Sequence, residues 1–205
     1  MRGATDLSAK DVVNYRNVAL IVWDMQNGIA RRAFNFAEVV KNTRLLIDFA
    51  HRQHIPVIYS QHTALPYEFL SKYAAYSLKR RGMKPTQPPF MTEGTDEWKI
   101  LNELAPAAGD LVLRKHTASF FIGTMLEQIL RSQNIESLIL SGVSTEGGIE
   151  GTARHGASLG FIPIIAQDAV GSFEQEIHER MLEIMRRMLE VERTSTIIQN
   201  IAATS

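Results

Sequence analysis

Two charged side chains follow apolar runs of the sequence and are the first candidates for chemistry. Asp24 comes directly after the run VALIVW, and Lys115 comes at the end of LVLRK. A carboxylate beside a sheet core loses hydration unless it is paired or protonated, and an ammonium group at the same edge would offset that cost. We therefore predict that Asp24 and Lys115 lie together as a charged pair. A helix or loop cap for Asp24 and a surface position for Lys115 are the ordinary alternatives.

A glycine-rich segment over residues 142–151 is the second candidate. It has four glycines around Val143, Ser144 and Thr145, and a helix is predicted to begin near Gly148. The backbone N–H groups of such a turn can converge on an anion, although a plain tight turn has the same pattern. The spacing matches neither a P-loop nor a dinucleotide fingerprint, and no serine has the G-x-S-x-G context of a hydrolase elbow.

The cysteine and histidine content excludes several other chemistries. The chain has no cysteine, which removes thiolate nucleophiles, iron–sulfur clusters and cysteine-based zinc sites. Its six histidines are scattered. His51 and His54 share a predicted helix without an acidic residue to complete a ligand set, and His62 lacks the Asp and second His that a metal site would need. We predict solvated histidines, no metal and no cofactor.

Composition limits the partners. The 205 residues are 45% hydrophobic, and 22 Lys and Arg balance 22 Asp and Glu, which is typical of one globular domain. Zero formal charge gives no electrostatic reason to bind nucleic acid or a membrane surface. The apolar runs fall short of the roughly 20 residues that span a bilayer, and no export pattern opens the chain. We expect a cytoplasmic protein with a small-molecule substrate, a polar extension over residues 1–16 and one domain over residues 17–205.

Short apolar runs alternate with helical patterns, which predicts an α/β fold with a parallel sheet. The runs are rich in Val, Ile and Leu, as expected of strands that helices bury on both faces. Strands are predicted at residues 18–23, 56–60, 110–114, 137–141, 161–166 and 194–198. Helices are predicted at residues 36–53, 121–133, 148–159 and 174–191. Residues 63–95 are predicted to be a long irregular insertion of the kind that is usually functional.

The predicted sheet brings the candidate residues together. Ligands of open parallel sheets bind outside the carboxyl ends of the strands. Asp24, Gln61, Lys115 and the turn of residues 142–148 all come at or just after such ends. A binding site at this edge is therefore expected.

Six sequence marks occur in an order that resembles a known family. They are Asp24-Met25-Gln26, Gly94-Thr95 before a helix leading to Pro106, Lys115 with Ser119, Phe121 and Thr124, Gly142-Val143-x-Thr145, Thr152-Ala153-Arg154, and Asp168-Ala169. Over about residues 17–200 the chain resembles the isochorismatase-like hydrolases of the cysteine hydrolase superfamily. This resemblance implies a Rossmann-like, three-layer αβα sandwich with a six-stranded parallel sheet.

The resemblance also implies a site where the charged pair meets the turn of residues 142–148. The family commonly has a cis peptide bond there, which would join Val143 to Ser144. In its amidohydrolase members a cysteine opens the following helix, and Gly148 stands at that position here. Because the chain has no cysteine, covalent amide hydrolysis by that mechanism is ruled out.

Isochorismatase members of the family have glycine at this position and split isochorismate into pyruvate and a dihydroxy-cyclohexadiene acid. By that resemblance Asp24 would be the general acid, and Lys115 would hold a substrate carboxylate or tune Asp24. Another cysteine-independent hydrolysis is a second possibility. A non-catalytic or vestigial small-molecule binding protein, derived from a cysteine amidohydrolase, is the third. Wide separation of Asp24 from Lys115, or a bulky side chain filling the space between them, would contradict the enzymatic hypothesis.

Substrate contacts follow from the same resemblance. They are predicted at Gln61, Val143, Ser144, Thr145, Gly147 and Gly148. Further cations for a dicarboxylate substrate are available at Lys72, Lys79, Arg80 and Arg81. Thr145 and Glu146-Gly147 match the sequence of this turn in the amidohydrolases, and Ala118 stands where a tyrosine is common. The sequence therefore does not identify the substrate. A homodimer or homotetramer is expected.

Overall fold

The computed structural model describes residues 12–83 and 88–204. Most of the predicted extension, residues 1–11, lies outside these ranges. The described residues form six strands and seven α-helices. The strands are β1 (Val18–Trp23), β2 (Val57–His62), β3 (Leu111–Lys115), β4 (Ser137–Val143), β5 (Ile162–Gly171) and β6 (Glu190–Glu192). The helices are α1 (Asn27–Ala30), α2 (Phe36–Arg52), α3 (Lys72–Arg80), α4 (Leu126–Ser132), α5 (Glu150–Ser158), α6 (Gln175–Met185) and α7 (Thr194–Ala202).

The six strands form one parallel sheet in the order β3-β2-β1-β4-β5-β6. The chain builds outward from β1 to β3 and then returns to place β4 against the other side of β1. This reversal is the switch point at which open α/β sheets bind ligands. In the register of β1 and β4, Trp23 is paired with Gly142, so the residues that follow both strands emerge side by side.

Alternate residues of β1 face two separate cores. Val18, Leu20 and Val22 belong to a buried cluster with residues of α2 and α7. Ala19, Ile21 and Trp23 belong to a second cluster with residues of α4, α5 and α6. Because apolar side chains cover both faces of the strand, the uninterrupted hydrophobic run predicts this layering correctly. The three-layer αβα sandwich is confirmed.

The predicted sixth strand, residues 194–198, is wrong. These residues begin α7, and the edge strand is the shorter Glu190–Glu192. The side chain of Asp168 accepts hydrogen bonds from the backbone N–H and the hydroxyl of Thr194, both at 2.8 Å, which stabilises the first turn of the helix. Ile197 and Ile201, one helical turn apart, are both buried in the core. The β-branched run therefore forms a helix because its start is capped and its apolar residues share a face.

Other predicted boundaries also change. The insertion over residues 63–95 is not irregular throughout, because it contains α3 and a short 3-10 turn at Tyr67–Phe69. A 3-10 turn at Asn102–Leu104 stands where a helix leading to Pro106 was expected. The last predicted helix ends at Met185 instead of residue 191, and the predicted helix at 121–133 begins only at Leu126.

The helices of the described residues include none that is both long and apolar enough to cross a membrane.

Candidate active site

Asp24, Ser60 and Lys115 form what we call the charged half of the candidate site. Lys115 Nζ donates a hydrogen bond of 2.7 Å to Asp24 Oδ2, and Ser60 Oγ donates one of 2.6 Å to Asp24 Oδ1. Asp24 is 5% exposed and Lys115 is 3% exposed. Both carboxylate oxygens therefore accept hydrogen bonds, which is the arrangement expected of an ionised carboxylate in a buried pair.

The strand ends determine where these groups lie. Asp24 is the first residue after β1 and has a positive φ of 43°, which turns the chain sharply away from the sheet. Its backbone N–H donates to Ser60 Oγ on the neighbouring strand β2 at 3.0 Å. Lys115 ends β3, level with His62 at the end of β2, so its side chain reaches across that strand toward Asp24. Sequence reasoning predicted this meeting from the strand ends alone.

Trp23 and the turn Thr145–Ile149 form the turn half of the candidate site. The peptide bond between Val143 and Ser144 is cis, as the family resemblance implied. The Ser144 carbonyl accepts hydrogen bonds from the N–H groups of Gly147 and Ile149, at 3.3 and 3.1 Å. These two donors satisfy the turn itself and are not directed at a ligand.

Trp23 was not predicted as a site residue, and it lies against both halves. Its indole packs directly over the α-carbon of Gly148. The ring centroid is 4.1 Å from Lys115 Nζ, a cation–π contact. Phe120 packs edge-on against the same indole, with 5.7 Å between ring centroids. The signal in the sequence was that the large residue Trp23 ends β1, and that the neighbouring strand β4 leads into a glycine-rich turn.

The predicted substrate contacts lie in different environments. Thr145 is fully buried, and its hydroxyl donates to the Gly171 carbonyl at 2.9 Å, with His178 Nδ1 at 2.8 Å from the same oxygen. The Gln61 amide donates to the Trp98 carbonyl at 3.1 Å. Val143 is buried in the apolar core. These three side chains are thus held by the protein, whereas Ser144 and Gly147 are partly exposed.

Gln26 connects the charged half to the loop around Trp98. Its side-chain amide donates to the carbonyls of His62 and Trp98, at 3.0 and 2.6 Å, and its Oε1 accepts from the His62 N–H at 2.8 Å. Gln26 is fully buried. This residue was predicted only as a mark of family resemblance, and the structure gives it a positioning role at the ends of β1 and β2.

The prediction that the histidines are solvated is wrong for His178, which is buried, and holds only in part for His62, which is partly buried. Burial, and then the positive charge of Lys115, lowers the pKa of His62 to about 4. Burial likewise lowers the pKa of His178, which is 6% exposed. Both imidazoles are therefore neutral at pH 7. His62 lies at the end of a buried strand, and His178 lies on the buried face of α6. Sequence reasoning overlooked both positions as signals of burial.

The four basic candidates for substrate recognition are not gathered at the charged half. Lys72, Lys79, Arg80 and Arg81 are all exposed on or just after α3. Arg81 is the one whose charge contributes to the lowered pKa of His62. Lys84, in the same basic run, lies outside the described residues.

Two cavities of the described residues are lined by neither Asp24, Ser60 nor Lys115. A cavity of about 230 Å³ lies beside Tyr15 and Ile55, and one of about 250 Å³ lies between Pro66 and Pro89. Within residues 12–83 and 88–204, no three His, Asp or Glu side chains are grouped so that they could hold a metal ion. The absence of a metal or cofactor requirement stays a prediction.

Comparisons with known proteins agree with this architecture. Residues 18–196 match the isochorismatase domain model. The chain is 29% identical over 173 residues to the uncharacterized isochorismatase family protein YwoC of Bacillus subtilis, covering 84% of this chain and 87% of that one. It is 30% identical over 173 residues to the ureidoacrylate amidohydrolase RutB of Serratia proteamaculans, covering 75% and 69%. Among solved structures, a cysteine hydrolase from Pseudomonas syringae pv. phaseolicola superimposes with a TM-score of 0.82 at 21% identity, covering 95% and 96%.

Proposed function

This chain belongs to the isochorismatase family of hydrolases, and from that premise we propose that it hydrolyses its substrate without a covalent nucleophile, by proton transfer from the Asp24–Lys115 pair. The observation that carries the proposal is this pair itself, buried at 2.7 Å with Ser60 as a third partner. Removing two charges from water costs free energy that a purely structural role seldom returns. A buried charged pair at the switch point of an α/β sheet is therefore a candidate for chemistry.

We propose that Gly148 occupies the place of the nucleophile in the family's amidohydrolases. A relative such as RutB is named as an amidohydrolase. This chain has no cysteine, so it lacks the thiolate that such a mechanism requires. The hydroxyl of Thr145 is fully buried and already hydrogen-bonded, so it does not replace a thiol as nucleophile.

Vinyl-ether hydrolysis is a reaction that needs no nucleophilic side chain. A proton added to the terminal vinyl carbon produces an oxocarbenium ion. Water adds to its central carbon and returns one proton to the Asp24–Lys115 pair. The hemiketal then collapses: its carbon–oxygen bond breaks, the proton of its hydroxyl group goes to the departing oxygen, and pyruvate and an alcohol are released. Because both oxygens of Asp24 accept hydrogen bonds, the proton would start on Lys115 and pass through Asp24 to the vinyl carbon. Alternatively, Asp24 would be protonated when the substrate binds, and Lys115 would hold a substrate carboxylate. Isochorismate is the proposed substrate.

Access to the pair requires a rearrangement. The indole of Trp23 lies over Lys115 at 4.1 Å and is 1% exposed. We propose that a substrate that reaches the Lys115 ammonium displaces this ring. Of the predicted contacts, Gly148 lies against this ring and would border the space that the ring vacates.

The same ring favours a second candidate function, a non-catalytic protein derived from a cysteine amidohydrolase. Trp23 and Phe120 fill the region next to the charged half with packed aromatic side chains. The two groups are close together, but the volume beside them is occupied by a bulky residue. In this alternative the charged half survives as a structural pair, and the protein binds a small molecule without turning it over.

One assay separates the two candidates. The protein is incubated with isochorismate and the release of pyruvate is followed. The Asp24→Asn variant should lose this release, because its amide cannot deliver the proton. Asp48→Asn removes a partly exposed carboxylate of α2 that pairs with Arg44 on the same helix; it is the matched control and should retain full activity.

The possible results have different meanings. Pyruvate release that depends on Asp24 supports acid catalysis, whereas release that survives Asp24→Asn contradicts the assigned role of this residue. Saturable isochorismate binding without turnover supports the non-catalytic candidate. If the protein neither binds isochorismate nor turns it over, isochorismate is not the ligand under either candidate function. The expected homodimer or homotetramer stays a separate prediction.

A further inference from the structure

The indole of Trp23 occupies the volume that any side chain at position 148 would need. A Cβ atom built on Gly148 would lie far closer than 3.0 Å to Nε1, Cε2 and Cζ2 of this ring, a separation that Cβ atoms essentially never show. Three ring atoms are involved, so a small rotation of the ring would not relieve the overlap. Only glycine is compatible with the observed position of Trp23.

The other glycines of the same segment differ from Gly148. A Cβ on Gly147 would meet only the end of the Ser144 side chain, at 2.7 Å, and the hydroxyl can rotate away. A Cβ on Gly151 would make ordinary contacts of 3.6 Å or more with Ala118. Gly142 also leaves no room for a Cβ, but the close atoms there belong to the backbone of Trp23, at 2.0 to 2.9 Å. Conflict with the Trp23 side chain therefore distinguishes position 148 from the other glycines of this segment.

Trp23 is also firmly held where it is. Its side chain is almost fully buried in the cluster that includes Phe120 and Ile149. Phe120 packs against the indole at an interplanar angle of 85°, and the Lys115 ammonium lies over the face of the indole. Moving the ring would remove an aromatic contact and a cation–π contact together. The volume next to Lys115 can therefore hold either the indole of Trp23 from β1 or a side chain at position 148 of the turn, but not both.

We propose that Trp23 is the residue that determines which chemistry this site can support, because residues 23 and 148 compete for one volume beside Lys115. With tryptophan at position 23, the site has no room for a nucleophile at the start of the helix that follows the turn. With a small residue at position 23, a cysteine at position 148 fits beside the ammonium group. The inference goes beyond the proposed reaction, since it concerns what the site can hold whether or not isochorismate is turned over.

Four proteins test this competition: the wild type, Gly148→Cys, Trp23→Val and the double variant. Valine suits the strand and leaves the volume of the indole free. The unfolding equilibrium of each is measured in urea. Gly148→Cys should be strongly destabilised, but much less so in the Trp23→Val background, so that the two changes are non-additive by tenfold or more in the unfolding constant.

The thiol itself provides a second readout, because the wild type has no cysteine to interfere. In the double variant, iodoacetamide should alkylate Cys at position 148 with a pH midpoint below the value of about 8.5 for a free thiol, since Lys115 favours the thiolate. Gly151→Cys is the matched control. Its cost in stability should be the same with Trp or Val at position 23, because its Cβ has space in both cases.

The outcomes decide the inference. If Gly148→Cys fails to fold whereas the double variant folds, the competition is supported. If the effects of the two substitutions are additive, or if the double variant fails to fold although Trp23→Val folds, the inference is wrong. If Trp23→Val itself fails to fold, Trp23→Phe with Gly148→Ala is tested by the same criterion, since alanine adds only the conflicting Cβ.

Discussion

The two halves of the candidate site handle burial in opposite ways. The charged half of Asp24, Ser60 and Lys115 keeps ionic groups out of water and satisfies them with one another. The turn half instead fills its volume with the Trp23 indole over a bare glycine, Gly148. Under the proposed assignment, in which the charged half handles protons and Gly148 stands at the nucleophile position, the comparison teaches that these two roles are physically separable. Packing would then close the second without disturbing the first.

Lys115→Met, which tests the charged half alone, should have the largest effect on stability. The variant leaves the Asp24 carboxylate buried without its cation, which costs about 3–5 kcal/mol in other buried pairs. Urea unfolding measures the loss. The double variant Asp24→Asn with Lys115→Met should recover much of it, since no uncompensated charge then remains. If Lys115→Met costs less than about 1 kcal/mol, the pair is not a tightly coupled unit.

The pH dependence of stability tests whether His62, a neighbour of the charged half, stays neutral in the folded protein. The unfolded chain binds a proton at His62 near pH 6.5, whereas the folded chain binds it only near pH 4. The unfolded state therefore holds more protons between these values, so stability falls as the pH is lowered from about 6.5 to about 4. The loss from this residue is at most about 3 kcal/mol.

The His62→Gln variant should show a shallower decline over that range in urea unfolding at several pH values. His54→Asn is the control, because His54 is exposed and its φ of 56° suits asparagine. It should leave the slope as in the wild type. Equal slopes for wild type and His62→Gln would contradict a buried neutral imidazole at this position.

Thr145→Val tests the turn half and should have a smaller effect. The substitution keeps the shape of the side chain but removes the hydroxyl that pairs with the Gly171 carbonyl and lies 2.8 Å from His178 Nδ1. Leaving these buried groups unpaired costs about 2 kcal/mol. Thr145→Ser, which retains the hydroxyl, should lose clearly less in a thermal or urea denaturation. Equal losses in both variants would assign the effect to packing.

Much of the fold could be predicted because its information is local. Each buried strand is a short apolar run, and a residue directly after such a run comes out at the ligand-binding edge of a parallel sheet. This reasoning is sufficient to bring Asp24 and Lys115 together across 91 residues of sequence. It failed for residues 194–198, because a β-branched run has the same composition in a strand and in a capped helix.

The contact between Trp23 and Gly148 could not be predicted in the same way. It depends on which face of β1 residue 23 takes and on how far the turn approaches that face, and both are properties of tertiary packing. His62 was missed for a related reason, since one imidazole in a sequence does not reveal whether the neighbouring loop buries it. Residue spacing predicts at which strand end a side chain lies, whereas tertiary packing determines which side chains compete for the same volume.

The position of Trp23 also makes the site optically visible. The chain has two tryptophans, and the second, Trp98, donates its indole N–H to Thr63 at the same edge of the sheet. Tryptophan fluorescence, excited at wavelengths that tyrosine does not absorb, therefore originates at this edge, and in a Trp98→Phe variant it would come from Trp23 alone. Its emission wavelength and its quenching by acrylamide would then report directly on whether the ring stays seated over the ammonium group or swings out when a ligand arrives.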